Sequence, residues 1–204
     1  MTPRRHLVIF AKAPRMGAVK SRLAAGVGAL PAYQFYVRQL ERLLRDVSSD
    51  PRWQTWLAAT PDAAVRSVPW RRMGLSPRAR LLAQGAGDLG ARMARPMRLL
   101  PPGPVVIVGS DIPALTRAHL ADAFGMLGAH EFVFGPARDG GYWLVGARRT
   151  PALPDPFRAV RWSSEHALAD TLANLRGHGV AMLEALEDID DADAWARLRA
   201  RAGR

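Results

Sequence analysis

The chain has 204 residues, 49% of them hydrophobic and 23% charged, the balance of a folded globular protein long enough to bury roughly 70% of its unfolded surface. Cysteine is absent, which excludes disulfides and thiolate metal sites, and the five histidines form no short zinc-type spacing, so any metal must sit among carboxylate oxygens, as magnesium or manganese would. A formal charge of +11 implies attraction to nucleic acid, acidic membrane or nucleotide, but the arginines are dispersed and lack the interleaved aromatics of a single-strand binding groove.

The opening "MTPRRHLVIFAKAP" has a basic lead but too short an apolar run for a signal peptide, and no later stretch reaches membrane-spanning length. A soluble cytoplasmic protein is expected. Hydrophobic period predicts a first strand over His6 to Ala11 and a helix over Pro31 to Val47, with Tyr33, Tyr36, Val37, Leu40, Leu43, Leu44 and Val47 on one face. Two further strands are predicted at Gln54 to Ala59 and Arg80 to Ala83. "GAGDLGARMARPMRLL" reads as a helix opening near Asp88 that Pro96 bends or ends. After the turn "PPGP", the apolar run "VVIVG" has the look of a buried parallel strand, and a helix capped near Thr116 follows.

"EFVFG" and "YWLVGA" are two strands flanking the turn-prone "ARDGG". "WSSEHALADTLANLRGHG" predicts a long helix with Ser163 as its N-cap and Gly177 or Gly179 at its end. A last strand, "VAMLEAL", and a last helix, "DADAWARLRARA", complete the order. Alternating strands and helices mean an α/β fold with a mostly parallel central sheet flanked by helices. Residues 1–204 read as one domain, with Arg197 to Arg204 the one segment open to disorder.

Ligands of such sheets bind outside the carboxyl ends of the strands, so the loops after strands carry the chemistry. "FAKAPRMGAVKSRL" puts Lys12, Arg15, Lys20 and Arg22 behind the first strand, with Gly17 for a tight turn before a short helix. It reads either as a solvated basic loop or as a phosphate cradle, in which Lys20 supplies a point charge and Arg22 a bidentate grip. It is neither a Walker loop nor a three-glycine dinucleotide fingerprint.

Asp111, in "VVIVGSDIPAL", leaves the most apolar strand at the edge of the core, where an unpaired carboxylate is costly. A divalent cation or substrate would compensate it, and a capping role is less needed because Thr116 already serves the next helix. In "GPARDGGYWLVG", Asp139-Gly140-Gly141 is equally a hairpin turn or a bare-backbone wall against a sugar, with Tyr142 or Trp143 stacking nearby. Among the late acidic residues, Asp191 suits a helix cap, whereas Asp188 and Asp190 are candidates for a second metal ligand.

Together, "FAKAPRMGAVKSRLA", "QGAGDLGARM", "GSDIPAL", "GPARDGGYWLVG", "WSSEHALADT" and "LEDIDDADAW" resemble a bacterial family of small glycosyltransferases, formerly a domain of unknown function and sometimes linked to arsenosugar biosynthesis. The resemblance is collinear from about Leu7 to Trp195. It implies the GT-A (Rossmann-like) fold of the nucleotide-diphospho-sugar transferase superfamily and a magnesium- or manganese-dependent transfer from a nucleotide-activated donor to a small acceptor. It implies that Asp111 is a metal ligand joined by Asp188 or Asp190. Lys12, Gly17, Lys20, Arg22, Gln84, Asp88 and Arg92 would face the nucleotide or its phosphates. Asp139, a possible base, would stand with Gly140, Gly141, Tyr142 and Trp162 on the sugar and acceptor side.

Related nucleotidylyltransferases carry a glycine-rich loop running into R-M-G and then a lysine. Arg15-Met16-Gly17 and Lys20 match the second half of that signature, but Lys12-Ala13-Pro14 replaces the glycines of the first. That departure leans towards a sugar nucleotide over a nucleoside triphosphate. The rivals are a nucleotidylyltransferase releasing pyrophosphate, a nucleotide-binding regulator without turnover, and a basic nucleic-acid binder.

Overall fold

The computed structural model describes residues 4–149 and 153–202. Seven strands form one sheet: β1 (His6–Lys12), β2 (Gln54–Thr60), β3 (Arg80–Ala83), β4 (Val105–Gly109), β5 (Phe132–Pro136), β6 (Tyr142–Ala147) and β7 (Val180–Met182). Their order across the sheet is β3-β2-β1-β4-β6-β5-β7. All neighbours pair parallel except at β6, which runs antiparallel to both β4 and β5. The mostly parallel α/β sheet expected from the sequence is therefore present.

Alternation along the central strands decides which helices cover which face. Leu7 and Ile9 of β1, with Leu57 and Val106, bury against α2 (Ala29–Val47) through Tyr36, Leu40, Leu43, Leu44 and Val47. On this face α5 (Arg117–Met126) contributes Leu120 and Phe124. Val8, Ala58, Val105 and Ile107 point the other way, onto Met93, Ala94 and Met97 of α4 (Leu89–Leu99). Both faces of β1 are thus dry, as a central parallel strand requires.

Two caps fall where the sequence puts them. Asp88 Oδ1 accepts the Ala91 N–H at 2.8 Å at the start of α4, and Thr116 caps α5 in a reciprocal arrangement with His119. α1 (Ser21–Val27) is the short helix expected after Gly17, and α3 (Ala64–Ser67) adds to the predicted set.

Three expectations need correction. Pro96 does not end α4: it lies inside it, and the Leu100 N–H still bonds the Pro96 carbonyl at 3.2 Å. Proline removes the bond to the preceding turn and crowds the carbonyl there, but the buried Met93, Pro96 and Met97 hold the last turn on the sheet. Ser163 is not an N-cap, because its φ of 58° is left-handed where a cap needs extended backbone. The chain instead turns through 161–166, fixed by Arg161 on Asp170 at 2.8 and 2.9 Å, and α6 (Ala167–Ala173) begins only after His166 and ends well before Gly177 and Gly179. At the arginine-rich end α7 (Ala192–Ala202) is helical and Arg197 Nε bonds Glu187 at 2.8 Å; residues 203–204 of that segment lie outside the described ones.

Candidate active site

The parallel strands deliver their outgoing loops to one rim, and sheet order reverses between β1 and β4, the switch point where such folds leave a crevice. β6 reaches the same rim from the opposite direction. Because it is antiparallel, its first residue, Tyr142, lies beside the outgoing end of β5 at Pro136. A cleft opens over this rim as two lobes of about 470 and 380 Å3. They share Phe10, Arg22, Leu89, Gly109, Asp111 and Asp190.

The smaller lobe sits over the ends of β1 and β4. Its centre is Lys20, whose Nζ lies 3.0 Å from Asp111 Oδ2 and 2.6 Å from Asp190 Oδ1. The lysine side chain is only 3% exposed, against 37% and 45% for its partners. Burial alone would lower the Lys20 pKa, but the Asp111 and Asp190 carboxylates outweigh it and raise it, so the ammonium stays charged. The Lys20 backbone is itself left-handed, at φ 51° and ψ 45°, just before α1 begins. Ser110 Oγ donates to the other Asp111 oxygen at 3.1 Å.

Tyr36 fixes the end of β1. Its hydroxyl donates to the Lys12 carbonyl at 2.7 Å and accepts the Lys12 N–H at 3.0 Å. Lys12 and Arg22 are exposed, line this lobe, and make no ion pair among the described residues. Gly17 takes φ 77° at the loop tip with open space around it, outside both linings, as is Arg15.

The larger lobe lies between β4 and the segments 137–141 and 162–167. Asp139, Gly141, Tyr142 and Trp162 all line it, so four of the five acceptor-side residues read from the sequence converge. Asp139 Oδ1 accepts the Gly141 N–H at 2.9 Å, a turn that leaves its second oxygen to the cleft. Gly140 is turned away: a Cβ there would meet the Glu165 carbonyl oxygen at 2.2 Å, and the Gly140 carbonyl accepts the Leu168 N–H at 3.0 Å. That glycine is needed for backbone packing, not for a bare wall against a ligand.

Of the two aromatics proposed to stack, Tyr142 meets Trp162, ring centroids 6.4 Å apart and nearly perpendicular. Trp143 points to the opposite face and donates from Nε1 to the Glu184 carbonyl at 3.2 Å. Burial raises the Tyr142 phenol pKa well above its ordinary value. Its hydroxyl lies near Thr171, whose own hydroxyl donates to the Ala167 carbonyl at 2.7 Å and keeps lone pairs free to accept; Trp162 Nε1 is buried with no hydrogen-bond partner among the described residues.

The late acidic segment returns to the rim because it continues the edge of the sheet. Leu183 and Leu186 donate to the carbonyls of Phe134 and Pro136 at 2.8 and 3.1 Å, which carries the chain up beside β5. Buried Ile189 then anchors the turn, with Asp188 and Asp190 facing the larger lobe. Burial, and then the neighbouring Asp190 and Asp139 carboxylates, push the Asp188 pKa up to about 6. Asp191 caps α7 by accepting the Ala194 N–H at 2.8 Å.

Three residues read as nucleotide-facing carry structural duties. Asp88 is the α4 cap, and Arg92 Nε donates to the Gly87 carbonyl at 3.0 Å; neither lines the cleft. Gln84 lines the smaller lobe, but its amide spans the sheet end, donating to Ala58 and Ala11 carbonyls at 2.9 and 3.4 Å. Sequence reasoning missed Tyr36, Leu89 and Glu165. Tyr36 was legible only as one more apolar-face residue, and nothing local marks the other two.

Among the described residues no three carboxylates or imidazoles gather into a ready metal cage. The donor set nevertheless suits a hard divalent ion: Asp111, Asp188 and Asp190 offer only oxygen to one cleft, and Asp188 is crowded by like charge.

Residues 43–164 match the family described as "Uncharacterized protein conserved in bacteria (DUF2064)". No curated protein matches the chain by sequence. A solved structure from Desulfovibrio desulfuricans G20, described as a "putative nucleotide-diphospho-sugar transferase", is 26% identical, covers 100% of this chain and 96% of that one, and superposes with a TM-score of 0.84. The 4-diphosphocytidyl-2C-methyl-D-erythritol synthase of Anaerococcus prevotii DSM 20548 is 12% identical, with a TM-score of 0.65 and coverage of 98% and 96%. The manganese complex of Rv0371C from Mycobacterium tuberculosis H37Rv is 18% identical, with a TM-score of 0.52 and coverage of 96% and 97%. The chain therefore belongs to the DUF2064 family, and its fold is that of the nucleotide-diphospho-sugar transferases.

Proposed function

We propose that this protein is a single-domain cytoplasmic glycosyltransferase that moves a sugar from a nucleotide-diphospho-sugar to a small acceptor with the help of Mg2+ or Mn2+. The observation that carries the reading is the clasp of Lys20 by Asp111 and Asp190 at the sheet's switch point, with Lys12 and Arg22 beside it making no ion pair among the described residues. A buried ammonium flanked by two open cations suits a ligand that brings several negative charges to one place. The name of the Desulfovibrio relative supports the donor class, and the manganese complex of the mycobacterial one supports a divalent ion.

In this reading Lys20 and Arg22 hold the diphosphate, and Asp111, Asp188 and Asp190 would hold the metal. Bound there, the ion would neutralise charge developing on the leaving diphosphate. Asp139 faces the acceptor and takes the proton of its hydroxyl. The acceptor oxygen bonds to the anomeric carbon as the bond from that carbon to the diphosphate oxygen breaks, and the electron pair leaves with the nucleoside diphosphate.

The test is a thermal-shift panel of nucleoside diphosphates, triphosphates and sugar nucleotides, each with and without manganese, followed by mass analysis of products. Manganese-dependent stabilisation by a sugar nucleotide, growing with ligand concentration over Kd, is expected. Asp111→Asn should abolish the manganese dependence and slow transfer about a hundredfold or more. Preference for a triphosphate with pyrophosphate release would replace this reading by nucleotidyl transfer, which the fold shared with the Anaerococcus synthase also accommodates. No response to any nucleotide would refute both.

A further inference from the structure

Resting on the reading above, we infer that the larger lobe selects a neutral or amine-bearing polyol as the sugar acceptor and rejects carboxylated or phosphorylated ones. The two lobes differ sharply in sign. The charged side chains confined to the smaller are Lys12 and Lys20, whereas those confined to the larger are Asp139, Asp188 and Glu165; Arg22, Asp111 and Asp190 stand at the boundary. An ionised carboxylate only accepts hydrogen bonds, so this lobe asks its occupant for O–H or N–H donors. An anionic group brought here would be repelled by the Asp139 and Glu165 carboxylates that line the lobe.

The floor is of a different kind. Tyr142 and Trp162 form an edge-to-face pair backed by Phe134, 5.3 Å from Tyr142, and Phe157, 6.0 Å from Trp162. Aromatic faces carry partial negative charge and favour the polarised C–H faces of a saturated ring, while the rim carboxylates take its hydroxyls. The Trp162 indole N–H is sealed from solvent, so this residue meets an occupant through its ring carbons. A space of about 470 Å3 accommodates a compact ring beside the transferred sugar.

The test uses related monosaccharides on the intact protein: methyl glucoside, glucosamine, glucuronate and glucose 6-phosphate. Binding is read by tryptophan fluorescence and ligand-observed NMR, with Trp162→Phe assigning the signal. The neutral and amino sugars should bind, and the two anionic ones should be about tenfold weaker or more. Asp139→Asn with Glu165→Gln should shrink that ratio towards one while leaving the fold intact by circular dichroism. Equal or tighter binding of the anionic sugars, or no binding of either class at the highest concentration reached, overturns the inference. A nucleotide titration kept separate tells the two proposals apart. Normal diphosphate binding with acidic sugars preferred sinks this inference alone, whereas sugar discrimination without nucleotide binding sinks only the donor assignment.

Discussion

The two lobes of the cleft face the same rim but are held in place by opposite means. The smaller is organised by charge: one ammonium bridges carboxylates from two loops, and its shorter contact joins positions 170 apart in the chain. The larger is organised by backbone, with Gly140 pressed on Glu165 and its carbonyl bonded to Leu168. Charge built this way is replaceable without unfolding the sheet but not without altering what binds. Backbone contact is the reverse, since it governs stability first and chemistry only through position.

The sharpest way to break that contrast is Lys20→Met. It leaves Asp111 and Asp190 facing one another without their cation, so diphosphate-dependent transfer should fall about a hundredfold or more. The accompanying loss of stability should be about 2 kcal/mol by urea unfolding, below the range for fully buried pairs because both carboxylates are partly in water. Unchanged diphosphate affinity in this variant would separate the clasp from phosphate binding altogether.

Gly140→Ala should act in the opposite sense. The position has φ 83° and no room beside the Glu165 backbone, so a loss of about 3 kcal/mol, or roughly 10 °C in Tm, is expected. Calorimetry measures it, and nucleoside diphosphate binding in the smaller lobe should survive at temperatures where the variant is folded. The mildest change, Asp88→Ala, removes the α4 cap and should cost about 1 kcal/mol. Because Asp88 lies outside both linings, nucleotide affinity by calorimetric titration should not move. A drop there would return Asp88 to the binding machinery.

Features set by local chemistry were legible in the sequence. β3, β4 and the Thr116 cap fall on the predicted residues, because apolar runs and cap hydroxyls act within a few positions. Lys20, Asp111 and Asp190 were each singled out, but their mutual contact depends on β4 lying beside β1 and on the late segment climbing the edge of β5, which no local pattern encodes. The same holds for Gly140, whose reason is a backbone met across the fold, not the turn it occupies. Ser163 misled for a different cause: Ser-Ser before an apolar period is a sound cap signal, but the Arg161–Asp170 pair and a left-handed φ delay the helix. Asp88 shows that a residue carried over by resemblance can be held by an ordinary capping duty.

The one reversed strand has a further consequence. A parallel neighbour must be reached by a long crossover, but β6 lets the chain leave and re-enter the sheet within residues 137–141. Insertions or deletions in that short hairpin would reshape one side of the cleft without rewiring any strand, while the grip between β1 and β4 stayed untouched. Under the proposed reading, diversification within such a scaffold would fall on the molecule accepted, with the activated donor held constant.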